Sequence, residues 1–158
     1  MLAREAGRPA GSLWLATTDA DSTVPADWIA EQLRLAALGA DVVAGTVRVQ
    51  DWSEQPVAAR TRFDQTYGSP GAGHVHVHGA NLGMSATSYL DAGGVPPLAL
   101  AEDQALVDEL RRGNRRVVST GRIPVITSGR RESRTQGGFA DHLRGLSSAP
   151  TGPSGEVC

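Results

Sequence analysis

Lysine is missing from this 158-residue chain: all 15 basic residues are arginine, against 17 acidic ones, for a net charge of −2. A balance so close to neutral implies no strongly basic face, so a nucleic-acid partner is not the default. Cysteine is nearly as scarce. Cys158 stands alone at the last position, so no internal disulfide can form, which fits a reducing compartment. No run of about 18 apolar residues exists to cross a bilayer, and "MLAREAGRPAGSL" lacks the apolar centre of a signal peptide. A cytoplasmic location is expected, with any membrane association left to another segment or partner. Aromatic residues make up only 4% of the sequence, while hydrophobic residues at 40% are enough to build the core of one ordinary domain.

What is present alternates between strand and helix patterns. "LWLATT" (13–18) is apolar, β-branched or aromatic and predicts a short buried strand. Pro25 stands where a first-turn proline belongs. Trp28, Ile29, Leu33, Leu35, Ala36 and Leu38 then recur at helical spacing up to Gly39. "ADVVAGTVRV" (40–49) predicts a second strand from its β-branched content. Between 51 and 73, prolines and glycines predict a loop with a short helix near 56–67. "HVHVHGANLGMS" (74–85) reads as a strand that then admits glycines, "ATSYLDAGG" as a short helix closed by glycine, and "AEDQALVDELRRG" (101–113) as a helix with acids at its start and arginines at its end. "RRVVST" and "IPVITS" predict two last strands. From 147 onward the composition is that of a disordered tail, leaving 1–146 as the folded domain. The alternation predicts an α/β fold with a mixed sheet flanked by helices.

Three constellations can carry chemistry, and each has a plainer structural reading. Asp19 and Asp21 are one residue apart at a strand end, where paired carboxylate oxygens suit a hard cation such as Mg²⁺ or Mn²⁺; either Asp21 or Ser22 could equally cap the following helix. Glu102 and Asp103 open the helix 102–113. A carboxylate there can act as a general base, while acids in a first turn also satisfy the helix dipole. His74, His76 and His78 share one face if the segment is a strand, a pattern that can hold Zn²⁺ when a fourth ligand exists, though one histidine beside a substrate fits as well. Arg130, Arg131 and Arg134 could clamp a phosphate or simply form a solvated cluster.

In order and spacing, "WLATTDADSTVPADWI", "VAGTV", "HGANLGMSATSYLDAGGVPPLALAEDQALVDELRRGNRRV" and "PVITSGRRESRTQGGFADHL" resemble a family 2 glycosyltransferase with the GT-A fold, from about 12 to about 146. The likeness implies a partial GT-A fold that transfers a sugar from a nucleotide-sugar donor, a UDP-sugar first, to a small-molecule or lipid hydroxyl acceptor, with inversion. It implies Asp21, assisted by Asp19, as ligands of Mg²⁺ or Mn²⁺ on the donor diphosphate. It implies Asp103, with Glu102 beside it, as the base on the acceptor hydroxyl. His78, Gly79, Ala80 and Asn81 would line the donor sugar and acceptor, with glycine letting the backbone approach and Asn81 both donating to and accepting from hydroxyls.

The same likeness implies that a nucleotide-binding half, roughly 80 to 100 residues, precedes the part seen here. That half would come from an upstream segment or a second chain. Its absence predicts an exposed edge on the opening strand, with association or partial unfolding of the isolated chain. The alternative reading is a noncatalytic remnant or interaction module that keeps the fold without turnover.

Overall fold

A computed structural model of the chain describes residues 9–67, 77–132 and 138–148. In chain order the regular elements are β1 (Trp14–Thr17), α1 (Trp28–Ala37), β2 (Val42–Val49), α2 (Val57–Tyr67), β3 (Leu82–Ser85), α3 (Ala86–Asp91), α4 (Glu102–Arg112), β4 (Val117–Thr127) and α5 (Phe139–Ser148). The chain divides into two compact units, Met1–Gln50 with Ser69–Ser128, and Asp51–Gly68 with Gly129–Cys158.

The first unit is an α/β layer built on a four-stranded mixed sheet in the order β1, β3, β2, β4. β3 is antiparallel to both β1 and β2, and β4 is parallel to β2, so β1, β2 and β4 share one direction. Alternation along β2 sends Val42 and Ala44 to one face and Val43 to the other. On the first face Leu106, Val107 and Leu110, at helical spacing along α4, pack with Val42, Ala44, Leu82 and Met84. On the second, Trp28 and Leu35 of α1 pack with Val43, Ile123, Val125 and Trp14. Each such aliphatic side chain removed from water contributes on the order of 1.5–3 kcal/mol. α1 stops where Gly39 adopts φ +92°, a backbone that a side chain would strain.

Three elements of this first unit differ from the sequence expectation. Pro25 lies ahead of α1, its carbonyl accepting the Trp28 N–H at 3.0 Å, instead of inside the first turn. The segment 79–81 forms a 3₁₀ turn, so β3 begins only at Leu82; His74 and His76 lie outside the described residues. The two expected last strands are one, β4, whose register against β2 is interrupted between Gly45 and Val47, opposite Thr120 and Val125. Gly121, between the two expected strands, and Pro124, inside the second, both fall within that bulge, where a proline's missing N–H is tolerated.

β1 is an edge strand. The Ala86 N–H bonds the Leu13 carbonyl, so the backbone groups of Leu13, Leu15 and Thr17 face β3 and those of Trp14 and Ala16 face outward. Packed on β2 and β4, α1 turns one flank toward β4, where Arg122 lies 3.6 Å from Glu31. The Glu31 carboxyl is held below the usual carboxylate range, chiefly by its hydrogen bond from Arg34. At 100° per residue the opposite flank of α1 carries Ile29 and Leu33, 44% and 46% exposed, on the β1 side. An open edge beside an exposed apolar flank predicts concentration-dependent association. Sedimentation velocity over a tenfold concentration range is expected to show it, and Ile29→Glu with Leu33→Glu to suppress it; a single monomeric boundary for the unaltered chain would refute it.

In the second unit, Phe63 of α2 meets Phe139 of α5 edge-on at 6.1 Å and Trp52 at 5.3 Å. The Gln55 amide donates to the carbonyls of Gly129 and Arg130 (3.1 and 3.0 Å), and the Arg131 N–H donates to the Glu54 carboxylate at 3.0 Å. α5 runs through Ser148, so 147 and 148, expected in the tail, are helical; Arg134 and 149–158 lie outside the described residues.

Candidate functional site

The carboxyl ends of β1, β2 and β4 lie along one edge of the sheet, the edge at which open α/β sheets bind ligands. The segment that carries Asp19 and Asp21 crosses that edge. It leaves β1 after Thr17, turns where the Ser22 N–H meets the Asp19 carbonyl at 3.1 Å, and reaches β4, where Thr23 and Ile126 exchange two backbone hydrogen bonds of 2.8 and 2.9 Å. The Ser22 hydroxyl adds a 3.0 Å bond to Thr127 Oγ1. Pinned at both ends, this turn presents Asp19 exposed and Asp21 half-buried.

The 3₁₀ turn at Gly79–Asn81 sits at the same edge, directly before β3. Its backbone is held on two sides. The Thr17 hydroxyl donates to the Gly79 carbonyl at 2.7 Å, and the Gly79 N–H donates to Asp103 Oδ2 at 2.7 Å. Asp103 Oδ1 accepts the N–H of Gln104 at 2.8 Å within the first turn of α4. A carboxylate offers about four lone-pair directions, so both oxygens of Asp103 keep capacity for a further donor. Glu102, one residue earlier, is exposed. Thr17, Gly79 and Asp103 thus join the end of β1, the G-A-N turn and the start of α4 at one edge of the sheet, and the D-x-D turn follows Thr17 by two residues. Thr17 was not singled out; its only signal was a hydroxyl at a strand end.

Asn81 occupies a different place from the one its amide was expected to fill. Its side chain is 1% exposed; Oδ1 accepts the Trp28 indole N–H at 2.8 Å, and Nδ2 donates to the carbonyls of Thr46 (2.8 Å) and Ile123 (2.7 Å). Those two carbonyls belong to the interrupted stretch of the β2–β4 ladder, so the amide bridges a gap in the sheet. Gly45 makes room for it: a Cβ there would stand 2.1 Å from Asn81 Nδ2. Ala80 is also buried, whereas His78 and Gly79 are half-buried at the turn.

Among the described residues no group of three His, Cys, Asp or Glu side chains converges as a metal cluster. A pair of aspartates on a turn is instead the kind of donor set that Mg²⁺ or Mn²⁺ completes with water and phosphate oxygens. No protein-family model matches the chain, and no curated protein is similar to it.

Proposed function

We propose that the chain is part of a metal-dependent, inverting glycosyltransferase of family 2 with a GT-A-type fold, moving a sugar from a UDP-sugar to a hydroxyl acceptor. The observation that supports this best is the pair of 2.7 Å hydrogen bonds through Gly79, from Thr17 and to Asp103. They hold the Gly79 turn between the end of β1, two residues before Asp19, and Asp103 at the start of α4, at the carboxyl edge of one sheet. Asp21 and Asp19 supply hard oxygen ligands for Mg²⁺ or Mn²⁺. When bound, such a cation neutralises charge on the departing diphosphate. Asp103 takes the proton of the acceptor hydroxyl as the oxygen bonds to the anomeric carbon. The bond from that carbon to the diphosphate breaks on the opposite side and its electron pair leaves with UDP, which inverts the centre. Gly79 and His78 border the reacting sugar, and Asn81 supports them from beneath through the sheet.

Calorimetric titration with UDP tests the reading directly. Binding is expected only with Mn²⁺ or Mg²⁺ present, and Asp21→Asn is expected to weaken it by about tenfold or more, one lost charge-assisted contact being worth about 1.5–3 kcal/mol. Metal-independent binding, or none by a chain whose circular dichroism shows it folded, would argue instead for a noncatalytic module.

A further inference from the structure

α1 has two apolar faces where a surface helix has one. Trp28 and Leu35 pack on the sheet, yet Ile29, Ala30, Leu33 and Ala37 are all exposed and, at 100° per residue, fall on a single outer stripe. The stripe has a charged border. Asp27 and Arg34 lie on it seven residues apart, which is two helical turns and about 10 Å along the axis. Asp27 occupies the N-cap of α1, where an aspartate ordinarily accepts a first-turn N–H, but its side chain makes no cap bond and has no ion-pair partner among the described residues. Arg34 uses two of its five donors on Glu31, at 2.6 and 2.9 Å, and its side chain is 45% exposed. One border of the stripe therefore carries an unengaged negative charge at its start and a cation with spare donors two turns later.

We infer that this face of α1 packs antiparallel against α1 of a second copy of the chain, about a two-fold axis that passes near Ala30. The inference concerns this surface alone and does not depend on the transferase reading. A two-fold contact sets the same patch against itself, so the patch must be self-complementary. Run antiparallel, the charged border meets its own reverse: Asp27 faces the partner's Arg34, and Arg34 faces the partner's Asp27. Run parallel, it would set Asp27 on Asp27. Ile29 then lies beside the partner's Leu33, and the small side chain of Ala30 at the crossing lets the axes approach toward the close end of the usual 8–10 Å. A lipid surface fits this face less well, because interfacial helices border their apolar side with Lys and Arg, and this border has two acids, Asp27 and Glu31, to one arginine. A ten-residue helix from each copy makes an interface below the standard size of about 1,600 Å², so the dimer is weak and its charges decide its direction.

Charge exchange on the full chain tests the direction, read by sedimentation velocity at rising concentration. Asp27→Arg alone and Arg34→Asp alone are each expected to weaken dimerisation by about tenfold. Both changes in one chain are expected to restore it, because each cross pair is rebuilt with its signs exchanged, and a mixture of the two single variants should form a mixed dimer. Arg34→Asp also removes the contact with Glu31, so a second measurement stands apart from it. With Cys158→Ser as background, Ala30→Cys beside the axis is expected to give a disulfide-linked dimer under oxidised glutathione, and Ala37→Cys at the helix end to remain unlinked. Cross-linking at both positions would mean parallel helices and overturn the inference. Association that ignores both charge reversals and links neither cysteine would place the contact at the open β1 edge and overturn it too, as would a chain that stays monomeric at every concentration.

Discussion

Asn81→Leu is expected to destabilise the first unit by at least about 3 kcal/mol and to leave much of the chain unfolded at 37 °C. The replacement has a similar volume but no polar atoms, so it strands two buried groups and one half-buried one at once: the Trp28 indole N–H, the Ile123 carbonyl and the Thr46 carbonyl. Each unsatisfied buried group costs about 1–3 kcal/mol, against a whole-domain stability of about 5–15 kcal/mol. Both carbonyls lie where the β2–β4 register breaks, outside the regular ladder pairing. Urea unfolding followed by tryptophan fluorescence reads the change, with Trp28 itself losing a partner. Asn81→Asp keeps one acceptor for Trp28 but turns two donors into like-polarity contacts with the carbonyls, and should unfold at lower urea than the parent. An unchanged midpoint for both variants would mean that the amide is not the bridge across the bulge.

The same residue shows which parts of this protein were legible in its sequence. α1, α4 and β2 were readable because their signals are local: apolar residues at helical spacing ending on Gly39, acids and arginines at opposite ends of 102–112, and a β-branched run at 42–49. β4 was read as two strands, one ending at Thr120 and one starting at Ile123, because Gly121 and Arg122 interrupt the β-branched run, and only pairing with β2, some 75 residues earlier, shows the interruption to be a bulge. Asn81 was read as a ligand residue for a similar reason. Its partners are 53, 35 and 42 residues away, and an asparagine between a glycine turn and a strand gives no local sign of them. The candidate site divides the same way. Carboxylates at a strand end and at a helix start could be picked out from position alone, whereas the hydrogen bond that joins Gly79 to Asp103 depends on the fold that brings positions 79 and 103 together.

Asp103 carries the sharpest functional expectation. Asp103→Asn is expected to lower turnover by about 10²–10⁴, the range that a positioned general base supplies, while Mn²⁺-dependent UDP binding stays within about twofold. UDP release from a panel of UDP-sugars, with water or 1-octanol as acceptor, measures the first; calorimetry measures the second. The two readouts separate catalysis from scaffolding, because Asp103 also holds the Gly79 turn through its 2.7 Å bond. The asparagine keeps a carbonyl oxygen for the Gly79 N–H and gives up the contact with the Gln104 N–H, which lies in the first turn of α4 and can turn to water. A structural loss of that kind costs about 1 kcal/mol and should appear in the melt. If UDP binding falls together with turnover, Asp103 acts by shaping the Gly79 turn. If binding holds and only turnover falls, the proton of the acceptor goes to Asp103. Turnover equal to the parent's would leave this carboxylate as the clasp between α4 and the Gly79 turn and send the search for a base to Glu102, exposed one residue before it.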